Sequence, residues 1–232
     1  GNSDRRAPGA VKEFARNNPH RMGKWSQASR THVAHMRSGD FYASDISCTM
    51  DKATTLKIEL HSKDGKVSVL KEVPVQDAEV ISAQFMSTKA LRKFLDEEME
   101  GARKAGLLFS LHLKATMMKV SDPIVFGHAV TVYFKDAWEK HGDEFEALGI
   151  NPNDGLGAAL RKVDQLSYSK RSEIEADLRQ CYETRPMLAM VNSDKGITNL
   201  HVPSDIIVDA SMPAMIRDSG KMWDSHGKLE DT

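Results

Sequence analysis

The feature that most constrains this chain is a tight turn between two alternating runs. Residues 56–61 and 66–75 switch between apolar and polar side chains at the two-residue period of a strand. Lys63-Asp64-Gly65-Lys66 lies between them, a sequence suited to a tight turn. The two runs therefore pair as a β-hairpin. Elsewhere the period lengthens to that of helices. Residues 7–17 form a short helix behind Pro8, and residues 18–44 read as loop with helical turns. Ser87 caps a helix over residues 88–104, striped by Leu91, Phe94, Leu95 and Met99 and stopped by Gly106. Residues 107–113 read as a buried strand. Pro123 opens one long helix through Phe126, Val130, Phe134 and Trp138. Helices over 156–166 and 172–183 follow, then short strands at 187–191 and 206–208, and a last helical turn at 213–216. Strands and helices alternate, so the class is α/β or α+β, with one mixed sheet flanked by helices and the hairpin added to it.

Composition removes several functional classes. The chain has 232 residues, enough for one large domain or two small ones with a real core. A formal net charge of -1 provides no global field for nucleic acid or a membrane surface. The longest apolar runs, such as residues 106–113, are too short to span a bilayer, and no secretory signal opens the chain. Cys48 and Cys181 make no disulfide framework and read as two buried thiols in a reducing compartment, which makes the cytoplasm the default. The start at Gly1 and the stop in the polar stretch 224–231 look like cut points, although an engineered or processed boundary would look the same.

Four polar stretches lack the periodicity of packed elements: residues 2–6, 114–122, 192–199 and 205–218. Lys114 follows an apolar strand. A lysine there either projects into a cleft, where desolvation lowers its pKa and suits it to proton transfer, or is solvated in a loop. Asp205 and Asp209 flank Ile206-Ile207-Val208. Each is a candidate oxygen ligand for magnesium or manganese, but Asp209 and Ser211 both precede the turn at Pro213, and capping a helix is the commoner job for such residues. Arg5 and Arg6 could fork onto a carboxylate or phosphate, or belong to a solvated basic face with Lys12, Arg16, Arg21, Lys24, Arg30 and Arg37. His32 and His35 lack the spacing and the glutamate of a zinc-protease helix. Gly155-Leu156-Gly157 lacks the rest of a dinucleotide fingerprint and reads as a helix entry. Met117-Met118 could shape a pocket wall beside Lys114.

Together these stretches resemble one family. Gly1-Asn2-Ser3-Asp4-Arg5-Arg6-Ala7-Pro8, Asn18-Pro19-His20-Arg21-Met22-Gly23, Thr31-His32-Val33-Ala34-His35-Met36, the run from His112 to Pro123, the run from Met190 to His201, and Val202 to Met222 are similar to the monomeric NADP-dependent isocitrate dehydrogenases, in family order. The resemblance implies a piece of the isocitrate/isopropylmalate dehydrogenase-like large domain. Residues 1–232 would be part of the substrate- and metal-binding domain, with the cofactor domain and the remainder of the enzyme absent. It implies oxidative decarboxylation of isocitrate to 2-oxoglutarate and CO2 with reduction of NADP, in the tricarboxylic acid cycle and beside the glyoxylate bypass. The enzyme would be cytoplasmic and monomeric, with Mg2+ or Mn2+, and with no nucleic-acid or membrane partner. Residue by residue, Arg5 matches an arginine on a substrate carboxylate, with Asn2, Ser3 and Arg6 beside it. Lys114 matches the catalytic lysine and Asp209 a metal ligand. The other metal aspartates, the catalytic tyrosine and the NADP contacts have no counterpart, so the isolated chain is expected to be inactive. The competing readings are a non-catalytic anion- or nucleotide-binding module built on the basic first segment, and a degenerate relative without chemistry.

Overall fold

The structure, a computed structural model, describes residues 8–114, 117–203 and 208–232, and for residues 208–210 the backbone alone. It divides into two compact units, Met36–Leu91 and the remainder of the chain on either side. In chain order, α1 (Gly9–Asn17) starts behind Pro8 and buries none of its residues. Next comes α2 (Phe41–Ser44), whose cap Asp40 accepts the Ala43 N–H at 3.2 Å. Strands β1 (Ile46–Thr49), β2 (Thr54–His61), β3 (Val67–Val75) and β4 (Val80–Ala83) follow, then α3 (Thr88–Ala105), α4 (Ser121–Tyr133) and α5 (Lys135–Ala147). A 3-10 turn (Pro152–Asp154) leads to α6 (Leu156–Val163) and α7 (Tyr168–Thr184). The last elements are β5 (Met190–Asn192), β6 (Ile197–Thr198), α8 (Val208–Arg217), β7 (Lys221–Trp223) and β8 (Leu229–Asp231).

The smaller unit is built on the hairpin. β2 pairs with β3, and Gly65 (φ +83°) closes the turn by donating to Ser62 O at 3.0 Å. Outside it, β1 pairs with β4, and Met50 bonds Glu79 and Ala78 in the gap between the two ladders. One register runs from Ile46↔Ala83 through Thr54↔Val75 to Ile58↔Lys71, so both ladders belong to one long two-stranded ribbon. A slip at Ile58/Glu59 then changes it by one residue. Such a bulge exchanges the faces of every later side chain. Within this unit only Val75 and Leu91 are buried; Ile58 and Leu60 stay about half exposed (51% and 52%). Cys48, expected to be a buried thiol, is exposed because the short β1–β4 ladder has nothing packed over it among the described residues.

The larger unit carries the core. α4 buries Phe126, Ala129, Val130, Val132 and Tyr133, so it is apolar on nearly every side, as an enclosed helix must be. Its chain does not run on as one helix to Trp138. Phe134 leaves helical geometry (φ −99°, ψ 29°), and α5 starts at the next residue. The break lets two consecutive aromatics point inward: Tyr133 and Phe134 are both fully buried and both meet Tyr182 of α7 edge-on or tilted. Burying a ring of that size contributes about 2–3 kcal/mol. Tyr133 also donates to Pro186 O at 2.8 Å, which satisfies its hydroxyl inside the core.

The expected single mixed sheet does not appear among the described residues. The ladders there are four two-stranded antiparallel pairs, and one parallel bridge joins Phe109 to Leu188. Residues 107–113 accordingly form no strand beyond that bridge. Leu107 and Leu108 are buried, but residues 109–113 are half-buried and lack a continuous neighbour. The strand expected at 206–208 gives way at Val208, which opens α8, while residues 206 and 207 lie outside the described residues.

Candidate active site

Lys114 is half-buried at the end of the extended segment that follows α3. Backbone pairing holds only the start of this segment: Phe109 N–H donates to Met187 O at 2.8 Å, and Phe109 O accepts the Ala189 N–H at 2.9 Å. From Leu111 onward, side chains replace a neighbouring strand. Asn199 Oδ1 accepts the Leu111 N–H at 2.6 Å and its Nδ2 donates to Leu111 O at 3.0 Å, while its own backbone N–H donates to Ala189 O at 2.8 Å. One asparagine thus occupies the place of a third strand. His112 follows, with Nε2 2.9 Å from Ser110 Oγ and Nδ1 2.9 Å from Ser211 Oγ on α8. Burial pushes the His112 imidazole below its ordinary pKa. The neutral ring then has one donor and one acceptor, and a serine hydroxyl can take either complementary role.

Lys114 itself is clamped on both backbone sides. Its N–H donates to Asp122 Oδ2 at 2.6 Å, and its carbonyl accepts the N–H groups of Met117 and Met118 at 2.9 Å each. Met117 and Met118 remain largely exposed, so they form no buried wall. Asp122 lies in the first turn of α4, where a carboxylate also faces the positive end of the helix dipole.

The remaining predicted site residues are distributed unevenly. Asn2, Ser3, Arg5 and Arg6 lie outside the described residues, as does Asp205. Asp209 belongs to the first turn of α8 by its backbone, and its side chain is outside the description. Pro213 sits inside α8 and has no N–H for the carbonyl four residues back, that of Asp209. The polar stretch 192–199 is scaffold apart from Asn199. Asn192 Oδ1 accepts the Lys195 N–H at 3.1 Å, Gly196 turns left-handed (φ 66°), and Ser193 Oγ donates to Asp224 O at 3.0 Å. His32 and His35 make no joint site; His32 Nδ1 lies 3.2 Å from Arg30 O.

Gly155-Leu156-Gly157 anchors the loop that leads toward α8. Leu156 N–H donates to Leu200 O at 3.2 Å and Gly157 N–H to His201 O at 2.8 Å. A Cβ on Gly155 would meet His201 O at 2.5 Å, and one on Gly157 would meet the His201 ring at 2.3 Å. Sequence reasoning identified the helix entry but not this contact. It also passed over Asn199, Asp122 and His112 as individuals, although a histidine interrupting the apolar run Leu111-His112-Leu113 is a visible signal.

A cavity of about 290 Å³ lies against the same segment, lined by Phe94, Leu95, Leu108, Leu111, Met212 and Met215 among others. Its mainly apolar lining does not suit a multiply charged anion. Away from the segment, His141, Glu173 and Asp177 could together ligate a cation. That position is taken by the chain's own ammonium: Lys140 Nζ lies 3.1 Å from Glu173 and 2.8 Å from Asp177, while His141 Nε2 is 2.6 Å from Asp177. This cluster ties α5 to α7.

Comparison with known proteins bears directly on the Lys114 segment. The family described as monomeric isocitrate dehydrogenase matches residues 1–232. Isocitrate dehydrogenase [NADP] 2 of Psychrobacter sp. is 60% identical over 232 residues, covering 100% of this chain and 31% of that protein. The protein of the same name from Mycobacterium tuberculosis is also 60% identical, and isocitrate dehydrogenase [NADP] of Azotobacter vinelandii is 56% identical, again over 100% of this chain and 31% of each relative. The chain therefore spans about 31% of the length of these relatives. Since the match runs the full chain, through the clamp on Lys114 and the first turn of α8, the chain belongs to the monomeric isocitrate dehydrogenase family.

Proposed function

We propose that this chain is the substrate- and metal-binding part of a cytoplasmic, monomeric NADP-dependent isocitrate dehydrogenase, and that it acts within a longer polypeptide. The reaction is isocitrate plus NADP⁺ to 2-oxoglutarate, CO2 and NADPH. The observation that carries the reading is the backbone clamp on Lys114 within a full-length family match. A catalytic amine needs a fixed origin, because a misplacement of about 1 Å can cost a hundredfold in rate. Asp122, Asn199 and the Met117–Met118 turn supply that origin.

In this reading Lys114 moves a proton at the substrate, and Arg5 grips a substrate carboxylate with Asn2, Ser3 and Arg6 beside it. Asp209 would hold a hard divalent cation, magnesium or manganese, which takes carboxylate oxygen. Support for that role is that Asp209 stands in the turn of α8 whose Ser211 bonds the Lys114 segment. Bound there, such an ion would make the substrate hydroxyl easier to ionise and stabilise negative charge on the decarboxylated product. One carboxylate does not complete its coordination, so this reading needs further oxygen ligands besides Asp209. The described residues offer no identified contact for NADP, whose binding falls to the rest of the polypeptide. No helix among the described residues is long and apolar enough to cross a membrane.

The reading is tested by replacing the matching segment of the Psychrobacter relative with this chain and measuring isocitrate-dependent NADPH formation with magnesium or manganese. Metal-dependent turnover is the expected result. A folded chimera that binds isocitrate yet reduces no NADP would overturn it.

A further inference from the structure

We infer that His112 and Ser211 are a positioning pair that sets the Lys114 segment against the first turn of α8, and so sets the proton-transfer group against the metal ligand. The inference rests on the roles just proposed for Lys114 and Asp209. Backbone pairing with a neighbouring strand ends at Phe109 among the described residues, and side-chain attachments at Leu111, His112 and Lys114 follow it. Asn199 ties Leu111 to the loop after β6, and Asp122 ties Lys114 to α4. His112 is the attachment that crosses to α8, through Nδ1 and Ser211 Oγ at 2.9 Å, with its other nitrogen fixed by Ser110 Oγ at the same distance.

The first turn of α8 needs such a tether. Pro213 removes the helical N–H that the Asp209 carbonyl would otherwise receive, so that turn is one internal bond short. Residues two apart on a helix point to different sides, so a bond to Ser211 does not itself reach the metal-ligand position. It fixes the rotation of the turn about the helix axis, and that rotation decides where a side chain at position 209 is aimed. Both imidazole nitrogens are engaged, which locks the ring plane as well as its place. His112 therefore acts on the chemistry through geometry, without touching substrate.

The test uses the chimera described above, with His112→Phe, Ser211→Ala, the double variant, His112→Asn and, in parallel, Lys114→Met. His112→Phe keeps the ring volume and loses both bonds. We expect it and Ser211→Ala each to lower kcat by about ten- to a hundredfold, with the isocitrate KM changed less than about threefold and the melting temperature nearly unchanged. The double variant should be no worse than the poorer single one, because both remove the same bond. His112→Asn, whose amide can reach Ser211 from the Nδ1 position, should recover most of the loss. Should His112→Phe fail to fold, Ser211→Ala, which removes one oxygen, carries the same expectation alone. Parental kcat in Ser211→Ala, losses that multiply in the double variant, or an Asn variant no better than Phe would each overturn the positioning role while Lys114→Met remains inactive. If Lys114→Met keeps full turnover, the reading of the site falls first and this inference falls with it.

Discussion

At the scale of single residues, the two glycines at the entry to α6 are sensitive positions, because both lie close against His201 in the loop after β6. Gly155 combines φ +83° and ψ 170°, a region open essentially to glycine, with a backbone oxygen 2.5 Å from any added Cβ. Gly157 needs only that the His201 ring move aside. Gly155→Ala should therefore cost about 3 kcal/mol or more and Gly157→Ala about 1 kcal/mol, read as the difference in denaturant midpoints. Equal costs would mean that the loop after β6 adapts freely. For the metal, Asp209→Asn in the chimera should raise the magnesium half-saturation by about tenfold or more, since a neutral amide is a poorer ligand for a hard cation. An unchanged titration removes Asp209 from the coordination. In the sequence Lys114 and Asp209 stand out only as candidates, one following an apolar run and one flanking a short one, and the resemblance to the family gives them their proposed roles. Their neighbours were less legible, because Asn199 and Asp122 act through backbone atoms of residues far along the chain, and no local pattern encodes such a pairing.

At the scale of elements, helices were read more accurately than sheets. Helix α3 follows from its stripe and its Ser87 cap, and the hairpin from its turn. The single long helix expected from Pro123 instead divides at Phe134, where burying two adjacent aromatics outweighs continuing one helix. The expected strand at 107–113 failed because apolar composition speaks for burial, not for a partner, and beyond Phe109 the partner is an asparagine side chain. Between α5 and α7 the packing depends on charge. The Lys140 ammonium holds the Asp177 carboxyl below its usual range, aided by His141 and opposed by burial, and it does the same to Glu173. Both carboxyls are depressed in the folded state. Their stabilisation is therefore fully present above the ordinary carboxylate pKa of about 4 and is lost as pH falls through the lower folded values. Lys140→Met should lower stability at neutral pH and flatten the fall in melting temperature on acidification. Melting curves across that acid range check this, and an unaltered slope would show that the cluster is not coupled to folding.

At the scale of the whole molecule, the chain comprises two units, and the proposed chemistry belongs to the larger one. The ribbon unit leaves apolar side chains such as Leu70 and Val80 exposed, and a two-stranded ribbon is marginal by itself. The family was legible from long ordered stretches of residues, whereas the arrangement of the sheets was not, because strand pairing depends on residues distant in sequence. Coverage of 31% of the relatives means that turnover must be measured where the rest of the enzyme is present. The decisive measurement is kcat for isocitrate oxidation by the chimera carrying this chain, compared with its Lys114→Met variant at matched folding and substrate saturation. A loss of about two to four orders of magnitude is predicted, the scale of a proton-transfer group. Equal turnover in the two would contradict the assignment of Lys114 and, with it, the site built around its segment.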